Sequence, residues 1–125
     1  MNDEIKMDEI IDGEALDAVQ AAAESENVNR YVHVFSEPFT YEDKTYNSLE
    51  FDFGKLRGKH MLAIENELRS KGIIVVAAEF SGDFRVRTAA KASTLPIGID
   101  LLLELPAKDY RAIDGKTKSF LVRSA

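Results

Sequence analysis

The spacing of apolar residues changes period near residue 55, and that change divides the chain into a strand-like part and a helix-like part. Tyr31, Val32, Val34, Phe35, Phe39, Tyr41, Tyr46, Leu49, Phe51 and Phe53 are β-branched or aromatic types that suit a pleated surface. Leu49, Phe51 and Phe53 alternate with Glu50 and Asp52, the signature of a half-buried strand with one apolar face. Glu42-Asp43-Lys44 is polar and separates two such runs, so residues 31–53 predict a β-hairpin. Pro38 lies in the first run, where it makes the strand an edge or splits it. The turn lacks the glycine that a tight primed turn prefers, which leaves its type open.

Beyond Gly58 the period becomes helical. Met61, Ile64 and Leu68 recur at i, i+3 and i+7, Glu65 stands four residues before Arg69, and Gly72 is a natural stop, which predicts a helix over 58–71. Ile73-Ile74-Val75-Val76 is too short to read by period and is expected to be extended. Ser81 is placed to cap a helix through about Ser93, with Asp83 in its first turn. Pro96 and Pro106 each stand where a helix can begin, because the ring fixes a helical φ and the missing N–H is not needed there. They predict a short helix over 96–104 and a last one from Pro106, with Tyr110, Ile113, Thr117, Phe120 and Leu121 on one face. Gly115 costs that helix about 1 kcal/mol against alanine, so Asp114-Gly115 is a point where it can break. The fold class expected is α+β: an N-terminal hairpin and then about four short helices.

Charge adds a further division. The chain of 125 residues has a net charge of −6, and residues 1–26 alone carry nine acids against one base, a net −8. The remainder is +2, a nearly neutral body behind an acidic arm. Ile5, Leu16, Val19 and Ala23 fall loosely on one helical face, while high charge and sparse apolar content favour a flexible, disordered tail. The expected organisation is an arm over residues 1–29 and one α+β domain over 30–125, a usual size for a single domain. Cysteine is absent, which excludes a disulfide framework and a thiolate zinc site. No apolar run approaches the roughly 20 residues that span a bilayer, so the expectation is a soluble, intracellular protein that binds no membrane. An acidic chain is also a poor partner for nucleic acid, where phosphate neutralisation supplies much of the affinity.

No catalytic constellation emerges. Gly54-Lys55-Leu56-Arg57-Gly58-Lys59-His60 has three residues between its glycines where a phosphate-binding loop needs four, and His60 replaces the hydroxyl that would hold magnesium. The two histidines, His33 and His60, lack the spacing of a zinc helix and are expected to be surface or partly buried polar residues. There is no Gly-x-Ser-x-Gly motif. Neither a catalytic residue, nor a metal ligand, nor a cofactor is therefore expected. Lys55, Arg57, Lys59 and His60, joined by Arg85, Arg87 and Lys91, are either a solvated face or a basic patch that docks the acidic arm.

Two stretches together resemble the phage tail assembly chaperones of the Mu-like and related prophage families. One is Phe35-Ser36-Glu37-Pro38-Phe39 with Tyr41 to Tyr46, Leu49 and the helix start at Gly58-Lys59. The other is Phe80-Ser81, Ala89-Ala90-Lys91-Ala92-Ser93, Leu105-Pro106-x-x-Asp109 and Phe120-Leu121. The resemblance runs from Val34 to Leu121 and leaves the arm unmatched, with Asp43 where that family commonly has glycine and His60 where it commonly has Asp. It implies a non-enzymatic protein that binds the tape-measure protein in the bacterial host cytoplasm and keeps it soluble. The mature virion is expected to lack it. The tail-tube protein and a second copy of the chain are further candidate partners. Tyr110, Ile113, Phe120 and Leu121 are the candidate partner-binding residues, with two readings of Phe120-Leu121: packed on the hairpin, or exposed for a helical client. The alternative from another class is a small acidic interaction module, a host-protein inhibitor or nucleic-acid mimic. Clustering of the acids in one arm argues against mimicry, which needs them spread over a rigid surface.

Overall fold

The computed structural model describes residues 29–124, so the expectations for the acidic arm lie outside the described residues. Two antiparallel strands, β1 (Arg30–Tyr41) and β2 (Lys44–Asp52), form the hairpin. Four α-helices follow: α1 (Gly58–Ser70), α2 (Gly82–Ala92), α3 (Ile99–Leu103) and α4 (Ala107–Ser124). The architecture is the expected α+β hairpin and helices.

The hairpin turn is a two-residue loop with both residues at positive φ, Glu42 at 50° and Asp43 at 69°. That is the primed geometry whose twist matches the strands, adopted here without glycine. Register runs from Arg30↔Asp52 to Val34↔Ser48, then resumes at Phe39↔Tyr46. Residues 35–38 thus bulge opposite Asn47 alone, and Pro38 sits in the bulge, where no ladder donor is required. Phe35 keeps the inward phase of His33 and is buried, while Ser36, Glu37 and Pro38 stay exposed.

A two-stranded hairpin is marginal alone, so the helices have to cover its apolar face. Leu49, Phe51 and Phe53, the alternating trio, are buried against Phe35, Val86, Ala89, Ala92, Leu101, Leu102, Leu105 and Ile113. The free edge of β2 is latched as well: Ser93 bridges to Phe51, the Thr94 N–H donates to the Glu50 carbonyl (2.9 Å), and Lys55 Nζ donates to the Ser93 carbonyl (2.8 Å). α2 is the central helix. Its alanines at 89 and 92 bring its backbone close to the sheet, and the Ser81 hydroxyl caps its start by accepting from the Phe84 N–H (3.1 Å).

α1 starts with His60 Nδ1 accepting from the Arg57 N–H (2.8 Å), the return bond of a capping box. It stops at Gly72, whose φ is +79°. The Gly72 N–H bonds to the Arg69 carbonyl and the Ile73 N–H to the Leu68 carbonyl (both 2.9 Å), a Schellman ending. Ile64 and Leu68 of α1 bury a second, smaller cluster with Phe84 and Leu121.

Residues 73–76 pair with no strand and alternate in burial: Ile73 and Val75 turn to the second cluster, and Ile74 and Val76 turn to solvent. Two expectations need correction. The short helix begins at Ile99 and not at Pro96, because Gly98 takes the capping position with extended backbone (φ −106°, ψ −177°). Pro96 lies instead in a tight link closed by the Ile97 N–H on the Leu95 carbonyl (2.8 Å). The last helix does not break at Gly115. Ile113, Thr117 and Leu121 are buried on one side of it, and the Thr117 hydroxyl donates to the Ile113 carbonyl across that glycine (2.9 Å). Its N–H groups at Asp109 and Tyr110 bond to the Pro106 carbonyl (both 3.0 Å), so Pro106 leads into the helix as expected, one residue ahead of its first turn.

Candidate functional site

Strand alternation places Tyr31, His33 and Phe35 on the inner face of β1, and α4 passes over that face with Asp109 in its first turn. His33 Nε2 lies 2.7 Å from Asp109 Oδ1, and the Tyr31 hydroxyl lies 2.8 Å from His33 Nδ1. With a neutral ring, Nε2–H donates to the carboxylate and Nδ1 accepts from the phenol, which satisfies all three groups. The positive end of α4 also favours the Asp109 carboxylate. The ring of Phe35 stands edge-on to His33 at 5.1 Å.

A histidine–carboxylate pair can perform acid–base work only if a reacting group comes within hydrogen-bond reach. His33 and Asp109 are 7% and 6% exposed. The nearby Ser36 hydroxyl is held by Lys108 Nζ at 2.9 Å on the exposed surface. What the arrangement achieves is a polar tie between residues 76 apart in sequence, joining β1 to α4. Sequence reasoning left His33 as a surface or partly buried residue. The overlooked signal is its phase, two residues from both Tyr31 and Phe35 on a strand whose inner face is aromatic.

Lys55, Arg57, Lys59, His60, Arg85, Arg87 and Lys91 do not share one set of free cations. Arg85 turns toward α4 and forks onto Asp114 (Nε–Oδ1 2.7 Å, Nη2–Oδ2 3.1 Å). Its guanidinium pKa is raised, first by that hydrogen bond. Arg87 is buried, with Nε on Glu67 Oε2 (2.9 Å) and Nη1 on the Asp83 carbonyl (3.0 Å), so it ties α2 to α1. Lys55 and Arg57 spend donors on backbone carbonyls. Arg85 and Arg87 are therefore committed to partners within the fold. Tyr110, beside Arg85 and Asp114, holds its phenolic proton more tightly than usual, mainly through burial and then through Asp114.

The four candidate partner residues on α4 separate. Ile113 and Leu121 are buried, one in each core cluster. Phe120 is half-buried and stacks on Phe53 with ring centroids 5.1 Å apart, which is the packed-on-the-hairpin arrangement. Tyr110 is half-buried along α4.

Exposed apolar surface lies elsewhere. Ile74 is 88% exposed, Val76 95% and Phe80 70%, all on the link between α1 and α2. Phe80 reaches α4, where Lys118 Nζ lies 5.2 Å from its ring centroid, and half-exposed Val122 is one turn further along that helix. Solvated β-branched and aromatic side chains grouped this way mark a surface suited to another apolar surface. Their sequence signal was present in the run Ile73–Val76, whose lack of interleaved polar residues conceals which two face outward.

Among the described residues no group of His, Cys, Asp and Glu is placed to hold a metal, and no helix is long and apolar enough to cross a membrane. Comparison with protein-family models, with curated proteins and with solved structures finds no match to this chain.

Proposed function

We propose that the chain is a tail assembly chaperone of a phage or prophage, acting in the host cytoplasm by binding a helical stretch of the tape-measure protein and keeping it soluble. The observation that carries the reading is the exposed group Ile74, Val76 and Phe80, bordered by Lys118 and Val122. A long helical client has an apolar stripe that aggregates unless covered, and covering it requires no chemistry. It requires apolar side chains in solvent on a fold that stays intact without the client. Each large apolar side chain taken from water contributes about 1.5–3 kcal/mol, a gain set against the cost of association. The order of the hairpin, Ala-rich helix and Leu-Pro-x-x-Asp motifs supports the same reading through the family resemblance. In it, Leu121 supports the surface from beneath, Phe120 packs on Phe53, and Tyr110 and Ile113 support α4.

The test is co-purification with helical tape-measure fragments. Changing Ile74, Val76 and Phe80 together to serine is expected to lower capture about tenfold or more. The denaturation midpoint should barely move, since exposed positions usually cost within about 0.5 kcal/mol. Wild-type protein that captures no tape-measure fragment would sink the proposal. Undiminished capture by the triple variant would remove this surface from it.

A further inference from the structure

We infer that residues 1–28 dock in cis on the face shared by β1 and the second half of α4, against Tyr31, Lys116, Phe120 and Arg123. This inference concerns a face distinct from that of Ile74, Val76 and Phe80 and stands whether or not the chaperone reading holds.

The first observation is where the described chain begins. The Asn29 carbonyl accepts from the Phe53 N–H at 2.7 Å, and Phe53 stacks directly on Phe120. The described chain therefore begins one ring stack away from the last turns of α4. The second observation is helical phase. Lys116, Phe120 and Arg123 recur at i, i+4 and i+7 and form one stripe of α4. The stripe lies on the side that meets β1, since Asp109 on the same side holds His33 and Lys116 Nζ stands 5.3 Å over the Tyr31 ring. Lys118 and Asp114 lie on the opposite flank, toward Phe80 and Arg85.

Charge supplies the third. Residues 115–124 contain three cations, Lys116, Lys118 and Arg123, and no acid, whereas residues 1–26 carry a net −8. The arm also offers Ile10, Ile11, Leu16 and Val19 to a stripe with a half-buried phenylalanine at its centre. Reach is no obstacle, because an extended residue spans about 3.3–3.6 Å and the stripe begins beside the exit point. A tether this short holds an effective concentration on the order of millimolar, so weak individual contacts are enough.

The chain has no cysteine, so Ser119→Cys on exposed α4 takes a single spin label in the full-length protein. At low ionic strength the amide resonances of residues 10–26 are expected to broaden strongly. The broadening should fall several-fold at high salt and in a Lys116→Gln/Arg123→Gln variant. It should fall equally in an Asp12→Asn/Glu14→Gln/Asp17→Asn variant, which leaves α4 untouched and so separates lost docking from lost folding. Broadening confined to the few residues before Asn29 overturns the inference. So does equal broadening when spin-labelled chains are mixed with separate isotope-labelled ones, because the arm then docks on a second copy.

Discussion

The hairpin side of the molecule and the side formed by α1 with the link after it bury apolar surface in different ways. On the hairpin side, rings follow one another from Tyr31 to Phe51 (6.4 Å), Phe53 (6.3 Å) and Phe120 (5.1 Å), and three helices close over them. On the other side four buried residues, Ile64, Leu68, Phe84 and Leu121, support a link that leaves Ile74 and Val76 in water. The first side turns its rings toward those helices. The second carries its apolar excess outward. A fold that places its stabilising contacts at one end can expose apolar side chains at the other without losing its shape, which is the division a binding protein requires.

The largest expected effect tests whether stability really sits with the rings. Phe51→Ala removes a fully buried ring and is expected to cost about 3–5 kcal/mol in denaturant unfolding, with Leu68→Ala costing about 2–5. A Phe51→Ala protein as stable as wild type would break the comparison at its root.

An intermediate effect tests how β1 is held to α4. His33→Ala strands the Asp109 carboxylate in a buried place and is expected to cost about 1–3 kcal/mol. A double-mutant cycle with Asp109→Ala should show coupling of about 0.5–3 kcal/mol. Additive effects would mean that the two residues act independently despite their 2.7 Å contact.

The smallest effects should have opposite signs at the two ends. Asp43 sits at φ 69° without being glycine, while Gly72 sits at φ 79°. Left-handed backbone costs an ordinary residue about 1–2 kcal/mol. Asp43→Gly should therefore gain about 0.5–1 kcal/mol after the added freedom of the unfolded chain is subtracted, and Gly72→Ala should lose about 1. Destabilisation by Asp43→Gly would show that Asp43 contributes something to the turn beyond its backbone conformation.

Much of the local structure is legible from residue order. Strict alternation around Leu49, Phe51 and Phe53 identified the inner face of β2, and Ser81 and Gly72 marked helix ends that the structure keeps. These signals are local, because alternation, capping and positive φ act within a few residues of one another. Phe120 was readable as apolar and near a helix end, yet its choice between hairpin and solvent depended on where Phe53 would lie.

Sequence alone determined the element types, the apolar face of the hairpin and the charge division between the arm and the rest. Only the tertiary structure decided that His33 meets Asp109, that Arg85 and Arg87 are drawn into separate ion pairs, and that Ile74 and Val76 face water while Ile73 and Val75 do not. The reason is physical. Periodicity records which side of an element is apolar, whereas burial and pairing depend on the position of other elements tens of residues away. A run of four β-branched residues has no period of its own, so its inner and outer positions are assigned by the helices packed beside it.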